Sequence, residues 1–333
     1  MMRVMKYLMT LLASLLFLSA PAFANDGAPQ EEHNAKPFGV WSQEFKAEAS
    51  AAGVSEALLS KAFAELTPNN RVVELDRKQP ENTKTFSQYL KGAVNDSRIT
   101  KGRALLQEHS ALLREVSAKY GVKPRFIIAL WGIETNFGGY TGDFSIVRSL
   151  ATLAYDGRRA DFFRKELLNA LKIIDEGHIS LADMEGSWAG AMGQCQFMPS
   201  SFLAYAVDHN GDGRKDIWGT LPDVFASIAN YLSQSGWNDS LTWGREVRIP
   251  GSIDEALLDG KHYKSLNEWQ ALGVRNGSGG ALPSRDVQGA LTVPGSRAEP
   301  TYLIYSNYDV LLKWNRSRYF ATAVGLLSDA IAQ

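Results

Sequence analysis

The clearest order in the chain is a series of helical periodicities that begins near residue 37. Phe38, Trp41, Phe45 and Ala49 recur every three or four positions, and Leu58, Leu59, Ala62 and Phe63 repeat the pattern within Ser55 to Leu66, which predicts two amphipathic helices. Residues 67–86 contain Pro68, Asn69, Asn70 and Pro80 and read as a long irregular segment, of a kind that often serves function in a compact protein. Thr100 can cap one long helix in which Leu105, Leu106, Leu112, Leu113 and Val116 form the apolar face before Gly121 stops it. Pro124 suits the first turn of the next helix, which carries Phe126, Ile127, Leu130 and Trp131. Further helical runs are predicted over about 160–176, 200–207 and 222–233. Alternation is rare throughout this region, which argues against a parallel-sheet cofactor fold.

The pattern changes after Trp237. Glu246-Val247-Arg248-Ile249 reads as a short strand, as do Val287 to Val293 and Thr301 to Tyr305, while the glycine- and serine-rich stretch from Gly273 to Gly280 predicts a solvent-exposed turn region. Asn307 can cap a helix through Leu312, and Phe320 to Ile331 reads as a terminal helix. The expected layout is a mainly helical body, a small β-containing excursion over 240–306, and helices at 307–333 that return to the body.

The amino-terminal residues follow another logic. Arg3 and Lys6 precede an apolar run from Tyr7 to Leu18, and Ala22-Phe23-Ala24 fits a signal-peptidase site, so residues 1–24 are expected to be a cleaved export signal followed by a polar arm over 25–36. Removing Arg3 and Lys6 takes the formal net charge from -1 to -3. A balance of that sign argues against nucleic acid or an anionic membrane as the main partner. No later stretch has the length to span a bilayer, so a soluble protein in the periplasm is expected after cleavage. The lone Cys195 excludes an intramolecular disulfide and a cysteine zinc cluster, and it reads as a small packing residue.

Three segments carry candidate chemistry. Asp208-His209-Asn210-Gly211-Asp212-Gly213-Arg214 places oxygen side chains at loop positions 1, 3 and 5 and glycine at 6, which is the front half of a calcium loop. The Arg214 carbonyl would take position 7, and Asp216 at position 9 could bind through water. Position 12 is Gly219 instead of glutamate, so Asp223 is the expected closing ligand. His209, at an even position, reads as incidental. A plain hydrophilic turn without metal is the alternative.

Glu134 lies in Trp131-Gly132-Ile133-Glu134-Thr135-Asn136-Phe137-Gly138-Gly139, in the last turns of the helix begun by Pro124. There it faces the negative end of the helix dipole, with Trp131 and Phe137 able to reduce its hydration; both influences raise a carboxyl pKa toward that of a general acid. A surface glutamate in an ion pair is the plain alternative. The third segment, Ser187-Trp188-Ala189-Gly190-Ala191-Met192-Gly193-Gln194-Cys195-Gln196-Phe197-Met198-Pro199-Ser200, combines small residues that allow close backbone approach with two glutamines. It suits either ligand binding or a tight packing corner.

Taken together and in this order, WGIETNFGG, GAMGQCQFMPSSF, DHNGDGRKDIW and SIANYL resemble the soluble periplasmic lytic murein transglycosylases of the B type, a soluble form of the membrane-bound lytic transglycosylase B family, over roughly residues 37–332. The resemblance implies a mainly α fold: a helical region over 37–98, a lysozyme-like core with the calcium-binding loop over 99–239, the β-containing subdomain and the returning helices. It implies peptidoglycan glycan strands as substrate, cut between N-acetylmuramic acid and N-acetylglucosamine to leave 1,6-anhydromuramoyl ends, with cell-wall enzyme assemblies as further partners. Glu134 is then the single acid/base, and Ser187, Gln196, Tyr231 and Asn315 contact substrate. Ca2+ falls to Asp208, Asn210, Asp212, the Arg214 carbonyl and Asp223 as a structural ion, with no organic cofactor. Asp143 and Glu185 are the candidate second carboxylates of a hydrolytic muramidase, and a noncatalytic wall-binding or scaffold protein is the reading from another class.

Overall fold

Helix α1 (Phe38–Ala51) forms on the expected stripe: Phe45 and Ala49 are fully buried, and Trp41 stacks between Phe38 and Phe45 with ring centroids 5.4 and 5.6 Å apart. The computed structural model to which it belongs describes residues 36–78 and 84–333. The expected export signal, all but the last residue of the arm and part of the 67–86 segment lie outside the described residues. Helix α2 (Glu56–Phe63) starts at Ser55, whose hydroxyl accepts from the Leu58 amide.

Two expectations fail in the next stretch. The 67–86 segment contains a helix, α3 (Asn70–Arg77), capped by Asn69; Val72 and Asp76 on it are buried, and Arg159 pairs with Asp76 at 2.8 Å. Local turn residues here hide a helix whose stability comes from packing on its neighbours. After α4 (Phe86–Ala93), which opens with a Thr85–Gln88 capping box, the single long helix proves to be two. Asn95, not Thr100, caps α5 (Asp96–Glu108), and α6 (Ser110–Tyr120) follows a break at His109. The His109 ring sits 5.6 Å from Phe225 and 6.3 Å from Trp131, so the break aims a side chain into the core. Gly121 ends α6 with φ of 67°, as expected.

Helix α7 (Pro124–Thr135) is buried from Phe126 to Thr135. Its sequence lacks a polar face because α5, α6, α11 (Leu221–Gln234) and α14 (Arg318–Ile331) surround it. Strands β1 (Phe144–Ser145) and β2 (Glu185–Gly186) pair antiparallel and flank α8 (Ile146–Asp156), which the periodicity reading passed over, and α9 (Ala160–Asp175). The short α10 (Pro199–Tyr205) follows. Burial of these helices joins into one core that runs from Phe45 to Ile331.

The β-containing part has strands β3 (Gly244–Arg248), β4 (Lys264–Ser265), β5 (Arg275–Asn276), β6 (Gln288–Thr292) and β7 (Thr301–Ile304), with α12 (Leu266–Ala271) between β4 and β5. They form an antiparallel sheet in the order β4-β6-β7-β3-β5. The Gly273–Gly280 stretch is therefore not only a turn, since Arg275 and Asn276 pair with β3. Period-two alternation divides β7 between two cores: Tyr302 and Ile304 join the helical body, while Leu303 and the following Tyr305 join a smaller cluster with Trp269 and Leu291. Both faces of β7 are thus buried, which is why its apolar run shows no polar alternation. Finally, α13 (Ser306–Trp314) begins after Tyr305, and Asn307 lies inside it rather than capping it. Buried Asn307 instead accepts from the Asn238 amide and donates to the carbonyls of Asn238 and Leu241. Among the described residues, no helix is long and apolar enough to cross a membrane.

Candidate active site

Glu134 stands in the last turn of α7 and is only 6% exposed. Burial pushes its carboxyl pKa up to about 8, opposed by a hydrogen bond from Trp314. That bond, from Trp314 Nε1 to Glu134 Oε1, is 2.6 Å long. It spans the fold, because Trp314 ends α13. Burial dominates because an anion in a low-dielectric interior loses more hydration than one neutral donor returns. The expected aromatic pair is buried and held by its own contacts: the Trp131 indole donates to Gln194 Oε1 at 2.7 Å, and Phe137 packs across Trp131 and so close to Gly132 that a Cβ there would lie 2.6 Å from its ring.

The backbone beyond α7 is unusual. Asn136, Phe137 and Gly138 take φ values of 52°, 61° and 71°, a left-handed run that turns the chain sharply. The Thr135 hydroxyl fastens it, accepting from the Gly138 amide and donating to the Gln194 carbonyl. Gln194 also donates from Nε2 to the Trp218 carbonyl at 2.7 Å, so it is a structural staple.

Gln196 is the other glutamine, and its φ of 50° is again left-handed; strain of this kind concentrates at functional positions. Its Nε2 donates to the carbonyls of Thr141 and Gly193, both at 3.0 Å. Only Oε1 remains to accept from a ligand. Phe197 beside it packs 5.3 Å from Trp314 and 5.8 Å from Tyr231. Ser187 lies in the adjoining layer, where its hydroxyl accepts from the Ala191 amide at 2.9 Å. Tyr231 stands edge-on to Trp314 at 4.7 Å and donates from its hydroxyl to the Lys313 carbonyl. Asn315 follows Trp314; it is 5% exposed and its Oδ1 accepts from the Ser317 amide, leaving Nδ2 to donate. Glu134, Phe197 and Tyr231 therefore gather around the Trp314 ring, with Gln196 and Asn315 each next in sequence to a member of that cluster.

Two residues beside Glu134 carry no motif of their own. Trp314 was legible only as the neighbour of Asn315. Tyr89 on α4 had no sequence signal, yet it is half-buried and close enough to feel the Glu134 charge; its pKa is raised first by burial and then by Glu134. Asp143 and Glu185 are both exposed. Neither contributes to the Glu134 shift, whose causes are burial and Trp314 alone. Cys195 is fully buried as a packing residue, its Sγ 3.6 Å from the Val224 carbonyl, and burial raises its thiol pKa well above the ordinary value.

The 208–223 loop is built as an oxygen-rich turn. Asp208 accepts from the amides of Gly211, Asp212 and Gly213, and Gly211 and Gly213 take φ of 77° and 89°. Asp223 is buried, accepting from the His209 and Asp216 amides at 2.8 Å each, so it latches the loop to α11. His209 is not incidental: its side chain is 5% exposed, with Nε2 3.2 Å from Glu115 Oε1 on α6. The donor set of Asp208, Asn210, Asp212, the Arg214 carbonyl and Asp223 suits a hard cation in type. Among the described residues, however, no three His, Cys, Asp or Glu side chains converge as a metal site.

A family model described as the transglycosylase SLT domain matches residues 37–329. The chain belongs to that family. Membrane-bound lytic murein transglycosylase B of Escherichia coli K12 is 30% identical over 248 residues, which cover 73% of this chain and 66% of that protein. SltB3 of Pseudomonas aeruginosa, solved in complex with NAG-NAM-pentapeptide, is 44% identical with a TM-score of 0.87, covering 89% of this chain and 80% of that one. The Escherichia coli lytic transglycosylase Slt35 in complex with calcium is 26% identical with a TM-score of 0.75, covering 87% and 92%. These relatives identify a B-type lytic murein transglycosylase, and the helical body with its small sheet is the lysozyme-like fold the motifs implied.

Proposed function

We propose that this transglycosylase cuts the β-1,4 bond between N-acetylmuramic acid and N-acetylglucosamine in peptidoglycan and closes the new end as a 1,6-anhydromuramoyl group. The observation that carries the reading is a buried Glu134, with a pKa near 8, that has no carboxylate partner among the described residues. Hydrolytic glycosidases ordinarily need a second carboxylate to activate water or attack carbon. A single acid suffices when the nucleophile belongs to the substrate.

Protonated at neutral pH, Glu134 gives its proton to the glycosidic oxygen as the anomeric C–O bond breaks, while the 2-acetamido oxygen of the muramoyl residue bonds to the anomeric carbon. The carboxylate so formed then takes the proton of the C6 hydroxyl, whose oxygen displaces the acetamido oxygen. Glu134 returns to its starting state and no water is consumed. Trp314 Nε1 steadies the carboxylate between the two steps, because a donor at 2.6 Å favours the anion. Tethering the nucleophile contributes an effective concentration worth up to about 7 to 11 kcal/mol. Gln196 Oε1 and Asn315 Nδ2 offer one acceptor and one donor to the sugar, with Ser187 and Tyr231 completing its contacts.

Ca2+ bound by Asp208, Asn210, Asp212, the Arg214 carbonyl and Asp223 would fix the loop that packs on α6 and α11; the Slt35 complex with calcium supports this role. The apolar leader with Ala22-Phe23-Ala24 supports export to the periplasm, where assemblies with other cell-wall enzymes become accessible. The test is digestion of purified peptidoglycan in water enriched in oxygen-18. Anhydro ends without label are expected, and labelled reducing ends as the main initial product would establish a hydrolytic muramidase instead. Wall binding with no released product would support the scaffold reading.

A further inference from the structure

A cavity of about 580 Å3 opens at the end of α13 remote from Trp314, lined in part by Asn238, Tyr263, Arg285, Asp286, Gln288 and Ser306. Its walls are fixed. Asn307 ties the turn after α11 to α13 through three hydrogen bonds of 2.8 to 3.2 Å, and the Tyr263 hydroxyl donates to Asp309 Oδ2 at 2.6 Å. Two opposite charges line the cavity without cancelling: among the described residues, neither Arg285 nor Asp286 forms an ion pair, with each other or with any other side chain. Arg245, hydrogen-bonded through Nε to the Tyr305 hydroxyl at 2.7 Å, and Arg285 both bring positive charge to Tyr305.

A strand of acetylated amino sugars is uncharged and has no use for such a pair. The ionised groups of peptidoglycan are on its peptide stems, as carboxylates and, in an uncrosslinked stem, a free amine. The distance also suits a stem. Ser306 and Trp314 are the two ends of α13, about 12 Å apart at the rise of a helix, and Trp314 holds Glu134. A stem of five residues spans roughly 17 Å when extended.

We infer that this cavity binds the peptide stem carried by a muramoyl residue in the cleft, with Arg285 receiving a carboxylate and Asp286 an ammonium group. The inference rests on peptidoglycan as substrate. It names the part of the substrate that the catalytic cluster does not read.

The test separates binding from turnover. Free pentapeptide and NAG-NAM disaccharide are each titrated calorimetrically against the full chain and against Arg285→Gln and Asp286→Asn, both exposed positions. Pentapeptide should bind the parent and weaken about tenfold in each variant, the scale of one charge-assisted hydrogen bond, while disaccharide affinity stays unchanged. Cleavage of peptide-bearing strands should show KM raised to a similar extent at constant kcat, with no change on strands stripped of peptide. Pentapeptide that fails to bind the parent, or that binds parent and variants alike, overturns the assignment. An inert parent would count against the proposed cleavage while the pentapeptide titration still decides the cavity.

Discussion

Replacing Glu134 by glutamine should stabilise the protein, and increasingly so as the pH rises from about 4.5 to about 8. In the unfolded chain the carboxyl ionises near 4.5, while in the fold burial holds it near 8. The folded state therefore binds the proton more tightly. Its advantage is fully present below pH 4.5 and is lost as the pH climbs through the folded pKa. Each tenfold difference in proton affinity is worth 1.36 kcal/mol, so this one side chain can cost the parent about 5 kcal/mol at alkaline pH as a ceiling. Water entry and local relaxation reduce that to a few kcal/mol. Glutamine carries no charge at any of these pH values and keeps an oxygen for the Trp314 Nε1 donor. Thermal unfolding of parent and Glu134→Gln at pH 4.5, 6, 7.5 and 9 should show melting temperatures that nearly coincide at the acid end and separate by about 5 °C or more at the alkaline end. A constant separation across that range would refute a carboxyl held protonated by burial. The same variant, folded and more stable, should be almost inactive on glycan.

Three further outcomes follow from particular contacts. Trp314→Phe removes the donor at Glu134 Oε1, so the alkaline limb of the kcat/KM profile should move upward by roughly one pH unit; an unmoved limb with reduced activity would reduce Trp314 to packing. Asp212→Ala should abolish the gain in melting temperature that added calcium gives the parent over EDTA, whereas equal responses would remove the ion from that loop. Gly142→Ala should destabilise by more than about 2 kcal/mol in denaturant titrations, because φ is 100° and a Cβ would collide with the Gly186 carbonyl beside Ser187.

What was legible in the sequence is what depends on local spacing. The helical stripes of α1 and α9, the proline start of α7, the glycine stop of α6 and the three chemical motifs are written in neighbouring residues, so Glu134 could be placed in the last turn of its helix before any fold was known. Local signals also misled where packing overrules them. Asn69 and Asn70 looked like loop and open α3, His109 breaks a continuous stripe because its ring is needed between Trp131 and Phe225, and Asn307 looked like a cap but serves as a buried brace. The decisive features of the site are contacts between residues far apart in the chain. Trp314 reaches Glu134 across 180 positions, Tyr89 approaches it from α4, and Asp223 turns both oxygens to the calcium-type loop. The sequence by itself determined which group could serve as the acid. Only the tertiary structure decided its state, because a pKa near 8 is set by how completely α5, α6, α11 and α14 exclude water from α7 and by the one donor that α13 returns to it.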